Sequence, residues 1–185
     1  MTELWQLFDE QGRPLDGMGG TKDDVFGKAL LHGASHVWIW RKVDNIIQIL
    51  LQKRAADKRT WPNYYDISAA GHIDLGEDPI TAAVRETKEE IGYDVSDDNL
   101  FFIGTDRRLM VTPDGKSTEN EICWLYALEL NDTSGLSLDD GEVASVAWKD
   151  IEVIKKEVTE GANYVPHGAT YYSIVFEAIE RLGNE

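Results

Sequence analysis

The chain has 185 residues, with 18 Lys and Arg against 34 Asp and Glu, a formal net charge of −16. Hydrophobic residues make up 42% and charged residues 28%, which excludes global disorder and fits one domain with a sizeable core. The acidic balance repels phosphate backbones and anionic lipid, so no nucleic-acid or membrane partner is expected.

A small anionic substrate then needs a divalent cation or a local basic patch to offset the field. Cys123 is the single cysteine, so an internal disulfide is excluded and a reducing, cytoplasmic setting is expected. The first five residues show no basic n-region or apolar leader, so no signal peptide is expected. The longest apolar stretch, residues 46–51, falls far short of the roughly 18 residues of a membrane span.

In chain order, residues 4–8 read as a strand followed by a turn at 9–12. The glycine-rich residues 17–20 read as a loop or mobile connection. Residues 36–40 and 46–51 read as two strands around a polar turn at 41–45, the second mostly buried. Turn-rich sequence from 53 to 65 leads into a short segment at 66–70. A helix starts at Asp78-Pro79, where Asp is a good N-cap and Pro at the first helical position loses no hydrogen bond. Gly92 stops it. Further strands are expected at 100–104, 108–112, 122–130 and 143–148, and helices at 151–158 and 170–182. No repeat or long linker divides the chain, and strands interleaved with helices give an α/β class with helices covering the sheet.

The informative region runs from Gly71 to Tyr93. On a helix, Glu86 and Glu90 lie one turn apart on one face, with Glu89 at its flank. Three clustered carboxylates repel one another, and the helix dipole disfavours acids in the last turns. A compensating cation is the natural remedy, and oxygen-only ligands point to Mg²⁺ or Mn²⁺ rather than zinc. Taken alone, E-x-x-E-E reads as a solvated acidic face. The full spacing reverses that reading.

It resembles the signature of the Nudix hydrolases, G-x5-E-x7-R-E-U-x-E-E-x-G-U, with U a bulky aliphatic residue. Gly71, Glu77, Arg85, Glu86, Glu89, Glu90 and Gly92 match; Thr87 and Tyr93 depart from the aliphatic positions. Seven fixed positions would match by chance about 10⁻⁶ times over a chain of this length. Outside the box, residues 4–15, 36–39, 52–54, 61–62, 66–72, 119–121 and 139–148 resemble the Nudix branch related to type I isopentenyl-diphosphate isomerase. The resemblance implies an α/β/α sandwich, a mixed sheet flanked by helices. Residues 1–30 would form an N-terminal strand and hairpin extension, and residues 31–185 the Nudix domain with its box at 71–93.

The resemblance also implies roles. Glu86 and Glu90 would be the main metal ligands, Glu89 would share the site or act as base, and the Gly71 carbonyl would be a further ligand. Arg85 would pair with a box carboxylate such as Glu77. Glu121, with Glu119 on the same strand face, would complete the metal set or activate water. Glu142 is a lesser candidate for the base.

His32 and His72 line up with isomerase metal ligands. Val25 stands where a further ligand would be, so both read as partnered structural histidines. His36 and His167 carry no such case. Lys53, Arg54, Lys58 and Arg59 form the one basic cluster, with Lys53 and Arg54 placed at the substrate phosphate. Trp38, Trp40, Trp61, Tyr64, Tyr65, Trp124 and Trp148 could stack a base or an isoprenoid, but read as core.

The expected activity is metal-dependent pyrophosphohydrolysis of a nucleoside diphosphate derivative or another X-linked diphosphate. An isomerase and a non-catalytic diphosphate sensor are the alternatives. The partner is a small-molecule diphosphate, with a homodimer as candidate assembly. Against the isomerase, Ala70 stands where those enzymes have a cysteine, directly before Gly71-His72.

Overall fold

The computed structural model describes residues 3–58, 60–111, 115–116, 118–138, 141 and 143–185. The chain runs β1 (Trp5–Phe8), β2 (Pro14–Gly20), α1 (Lys22–Lys28), β3 (Leu31–Val43), β4 (Ile46–Arg54), β5 (Tyr65–Asp66) and β6 (Ala69–His72). It continues through α2 (Pro79–Ile91), β7 (Phe101–Val111), β8 (Thr118–Glu129), β9 (Val143–Asp150), α3 (Ile151–Thr159) and α4 (Ala169–Leu182).

Strand β3 is the axis of the sheet. It pairs in parallel with β8 over residues 31–40 and antiparallel with β6 and β4 along its other edge. β7 lies outside β8, and β9 outside β4. Parallel strands covered on both faces read as continuous apolar runs, and the first ten residues of β3 are all buried.

Alternation along β3 sorts its side chains between two layers. Val37 and Ile39 meet Ala83 and Ile91 of α2, while Trp38 and Trp40 join a cluster with Ile154 of α3 and Val175 and Ile179 of α4. Helices on both faces of a mixed sheet make the expected α/β/α sandwich.

Helix α2 forms as its ends dictate. The Asp78 carboxylate accepts from Thr81 N at 2.9 Å, and Gly92 closes the helix in the left-handed region at φ 69°. Thr87, which departs from the aliphatic pattern, is fully buried and donates its hydroxyl to the Ala83 carbonyl at 2.7 Å, so its polar atom is satisfied.

Three expectations are corrected and one helix is added. The stretch 17–20 is the end of strand β2, where Gln6↔Gly19 and Trp5↔Gly20 pair with β1. A Cβ on Gly20 would lie 2.9 Å from Val25, so the glycine serves close packing rather than a loop. Helix α1 was not expected; its signal is Thr21, whose hydroxyl accepts from Asp24 N. The turn expected at 41–45 shrinks to Asp44-Asn45, both left-handed, because the strands continue to Val43↔Ile46. The strands expected at 100–104 and 108–112 are one strand, β7, with a bulge between Phe102 and Gly104.

Candidate active site

One wall of the principal polar cavity, about 800 Å³, is built by the loop and helix from Gly71 to Glu90. Arg85 is its hub. Its Nε and Nη2 donate to the two oxygens of Glu77 at 3.1 and 2.9 Å, and Nη2 also donates to the His72 carbonyl at 2.9 Å. Nη1 reaches Glu86 at 2.6 Å and Glu89 at 3.1 Å. Burial opposes the guanidinium charge, but Glu77 and Glu86 outweigh it and hold Arg85 charged beyond its ordinary range.

Two consecutive residues of β6 seat the other carboxylates. The Glu90 carboxylate is buried and accepts from Ala70 N at 2.9 Å and from Gln52 Nε2 at 3.3 Å. The Glu86 carboxyl lies against Gly71 so closely that a Cβ there would stand 2.0 Å from its Cδ. Glycine is required at 71 for the space it leaves. Glu86, Glu89 and Glu90 therefore line one wall of the cavity together.

The facing wall comes from β7 and β8. Glu121, buried, takes Arg108 Nε at 3.1 Å and Nη2 at 2.9 Å, with Glu119 3.8 Å from the same guanidinium. Burial would raise the Glu121 carboxyl, yet Arg108 and His32 hold it well below the usual carboxylate range. His32 Nε2 and His72 Nε2 stand 3.6 and 3.8 Å from Glu121 Oε2.

His32 Nδ1 is hydrogen-bonded to the Leu30 carbonyl at 3.0 Å, while its buried Nε2 atom has no hydrogen-bond partner and faces Glu121. One ligand atom from each of His32, His72 and Glu121 lies within 4.8 Å of the others, close enough for a single ion. Val25 is fully buried in the apolar cluster with Trp5 and Leu7.

A chain of charges continues from Arg108. Its Nη1 donates to His167 Nδ1 at 2.8 Å, so that nitrogen accepts and His167 Nε2–H donates to Asp66 at 2.8 Å. Burial keeps His167 neutral, below its ordinary pKa, and Asp66 also takes Arg54 at 2.9 Å. His36 is pushed down to about 3 by burial and binds the Tyr171 hydroxyl at 2.8 Å. The Cys123 thiol donates to Glu121 Oε1 at 2.9 Å, and burial pushes its pKa up.

Strand β1 supplies part of the cavity lining, with the Trp5 ring stacked on His72 at 3.5 Å and an interplanar angle of 9°. Lys22, Arg54 and Lys58 bring positive charge to the cavity. Lys53, expected at the substrate, is corrected: along β4 it alternates to the face opposite Gln52 and Arg54 and does not line the cavity. Glu142 and Arg59 lie outside the described residues. Trp5, Asp66 and Arg108 carry no site signal in the sequence, and His167, for which the sequence makes no case, lines the cavity with them. Only strand register and the return of the chain before α4 bring them here, and no local spacing encodes either.

The NUDIX domain family model matches residues 31–167. An uncharacterized Nudix hydrolase of Clostridium acetobutylicum is 31% identical over 96% of this chain and 97% of its own length. Isopentenyl-diphosphate Delta-isomerase of Citrobacter koseri is 31% identical over 80% of this chain and 77% of that protein. Nudix hydrolase 3 of Arabidopsis thaliana is 32% identical over 89% of this chain, which spans only 22% of that longer protein.

Among solved structures, DR0079 of Deinococcus radiodurans matches at 17% identity with a TM-score of 0.66, covering 97% of this chain and 98% of that one. The NUDIX domain of Shewanella oneidensis NrtR, complexed with ADP ribose, matches at 13% identity with a TM-score of 0.59, covering 81% and 87%. This chain belongs to the Nudix family, and its class is a hydrolase acting on diphosphates. Enzymes of this family use divalent metal ions. Among the described residues, no helix is long and apolar enough to cross a membrane.

Proposed function

We propose that the chain is a Mg²⁺- or Mn²⁺-dependent pyrophosphohydrolase that cleaves a nucleoside diphosphate derivative or another X-linked diphosphate in the cytoplasm. The observation that carries this reading is the Arg85 hub, which gathers Glu77, Glu86 and Glu89 while Gly71 and Ala70 seat Glu86 and Glu90.

In this reading Glu86 and Glu90 hold the ion, with Glu89 and the Gly71 carbonyl as further donors. The bound ion would neutralise phosphate oxygens and acidify water, the two effects that lower the barrier to attack on phosphorus. Glu89 or Glu121 takes the proton from the attacking water. Arg85 keeps the carboxylates in place, since positioning and electrostatics supply most of phosphoryl-transfer catalysis. Arg54 and Lys58 face the distal phosphate. Residues 1–30 are an extension that closes one side of the site formed by residues 31–185.

The test is a screen of diphosphate compounds with Mg²⁺ or Mn²⁺, following release of phosphate or nucleotide. ADP-ribose, the ligand named with the NrtR domain, is the first compound to try. Absence of cleavage across the panel with either ion would overturn the reading.

A second reading, an isopentenyl-diphosphate isomerase, is favoured by the His32–His72–Glu121 cluster and by the isomerase relatives. It requires a proton donor facing the alkene. Ala70 supplies none, and the Cys123 thiol is buried against Glu121. General acid–base catalysis contributes about 10²–10⁴-fold per group, so isomerisation should be negligible. Deuterium uptake from D₂O into isopentenyl diphosphate at an enzymatic rate would favour the isomerase instead.

A further inference from the structure

Three arginines line the polar cavity, Arg54, Arg85 and Arg108, and they differ in what they still have to offer a ligand. A guanidinium carries five N–H groups. All five of Arg85 are taken, by both oxygens of Glu77, the His72 carbonyl, Glu86 and Glu89. Four of Arg54 are taken, by Asp66, the Thr60 carbonyl and, at 3.5 Å, the Thr60 hydroxyl. Arg108 uses three, two on the single oxygen Glu121 Oε1 and one on His167 Nδ1. One N–H on Nη1 and one on Nη2 are left. The Glu119 carboxylate, at 3.8 Å, is beyond hydrogen-bond reach of them.

Both bonds to Glu121 end on one oxygen, so the guanidinium plane could still turn about that point. His167 Nδ1, 2.8 Å from Nη1, is the second anchor that stops it. The anchor works only while Nδ1 carries a lone pair, in the neutral tautomer with its proton on Nε2. Asp66 selects that tautomer, with Oδ1 2.8 Å from Nε2. Asp66 is fixed in turn, since Oδ1 also accepts from Ile67 N at 2.9 Å and Oδ2 takes Arg54 at 2.9 Å.

The backbone under His167 is equally constrained. The segment at 164–168 separates the polar cavity from a second, aromatic cavity of about 850 Å³, lined by Trp61, Tyr64, Tyr164, Tyr172 and Phe176. Val165 N donates to the Tyr65 carbonyl at 2.9 Å, and the Tyr172 hydroxyl donates to the Val165 carbonyl at 2.8 Å. The His167 ring stacks on Tyr171 at 4.5 Å and 22°. Backbone, stacking and two hydrogen bonds together set the direction of the Nδ1 lone pair.

Resting on the hydrolase reading above, we infer that Arg108 binds the diphosphate from the wall facing Glu86, Glu89 and Glu90, and that His167 is the positioning residue that holds it there. The two N–H groups left on Nη1 and Nη2 can meet two phosphate oxygens at once, which a lysine ammonium cannot reproduce. Asp66 acts one step further back, through the tautomer of His167.

The experiment measures the Kd of methylenediphosphonate, whose P–C–P bridge resists hydrolysis, by calorimetry with Mg²⁺ present. Two amide variants divide the roles of the ring. In H167N the amide oxygen stands near the Nδ1 position and can accept from Arg108, but nothing reaches Asp66. In H167Q the amide nitrogen stands near the Nε2 position and can donate to Asp66, but Arg108 loses its acceptor. H167Q and R108K should each weaken binding about tenfold or more, the range of one hydrogen bond to a charged group. H167N should recover most of the H167Q loss. A merely structural role for His167 predicts the reverse order, because H167Q keeps the bond to Asp66.

H167N binding no better than H167Q would overturn the positioning role, and wild-type affinity in R108K would overturn the contact. No binding of methylenediphosphonate by the wild-type protein would overturn both. A further readout needs no variant to fold: ¹⁵N NMR of His167 should show Nε2 protonated and Nδ1 bare, and the opposite tautomer would overturn the anchor. Cleavage of no diphosphate compound, with methylenediphosphonate still bound through Arg108, would remove the hydrolase reading and leave the contact standing.

Discussion

Replacing Gly71 by alanine separates the site's chemistry from its stability. The added Cβ would sit 2.0 Å from Glu86 Cδ and 2.1 and 2.3 Å from its oxygens, where ordinary contact begins at 3.4 Å. The carboxyl must therefore retreat by roughly 1.4 Å, from 2.0 to about 3.4 Å. Glu86 is the far end of a flexible side chain, so the fold accommodates the shift at an overpacking cost of about 1 kcal/mol. For a domain of this size that is a fall in Tm of about 2–4 °C.

The chemistry is less forgiving, because a displacement of about 1 Å in a catalytic constellation costs about 10²-fold in rate. G71A should therefore keep a near-native Tm while kcat/KM falls about 100-fold and Mn²⁺ affinity by calorimetry weakens. Gly76 supplies the control. It is left-handed at φ 83° with nothing within 4 Å of an added Cβ, so G76A strains the backbone without touching the carboxylates. If G71A keeps wild-type turnover and Mn²⁺ affinity, Glu86 does not hold the ion as proposed.

E90Q should lose most turnover and weaken Mn²⁺ binding while remaining folded, since a glutamine oxygen can still accept from Ala70 N; unchanged affinity in both E86Q and E90Q would restore a solvated acidic face. Substrate affinity should rise steeply with Mg²⁺, because a cation reverses the local field of an acidic site. Equal binding in excess chelator would assign the holding to Arg54 and Lys58. R108Q should cost about 3–5 kcal/mol in urea unfolding by leaving Glu121 buried and uncompensated. Adding E121Q should recover part of that loss, and strictly additive losses would mean the two side chains are not energetically coupled.

The box was legible because its chemistry is local. Glu86, Glu89 and Glu90 share one helical face by period alone, and Asp78, Pro79 and Gly92 mark that helix's ends by backbone chemistry. The facing wall was not legible in the same way. Glu121 could be named, but its partner Arg108 depends on the β7–β8 register, and Arg108↔Glu121 follows a bulge whose one local mark is Gly104, at φ 151°. Lys53 and Arg54 shared one expectation, and a one-residue alternation separated them. The glycines at 17–20 misled because glycine serves loops and close strand packing alike. Trp61 and Tyr64 read as core because an aromatic wall of a cavity and an aromatic core have the same composition.

The shared family region, residues 31–167, stops short of both ends of this machinery. Trp5, which stacks on His72, precedes it, and Tyr171 and Tyr172, which touch His36 and the aromatic cavity, follow it. A gene trimmed to the family boundary would keep every box carboxylate yet lose a wall of each chamber.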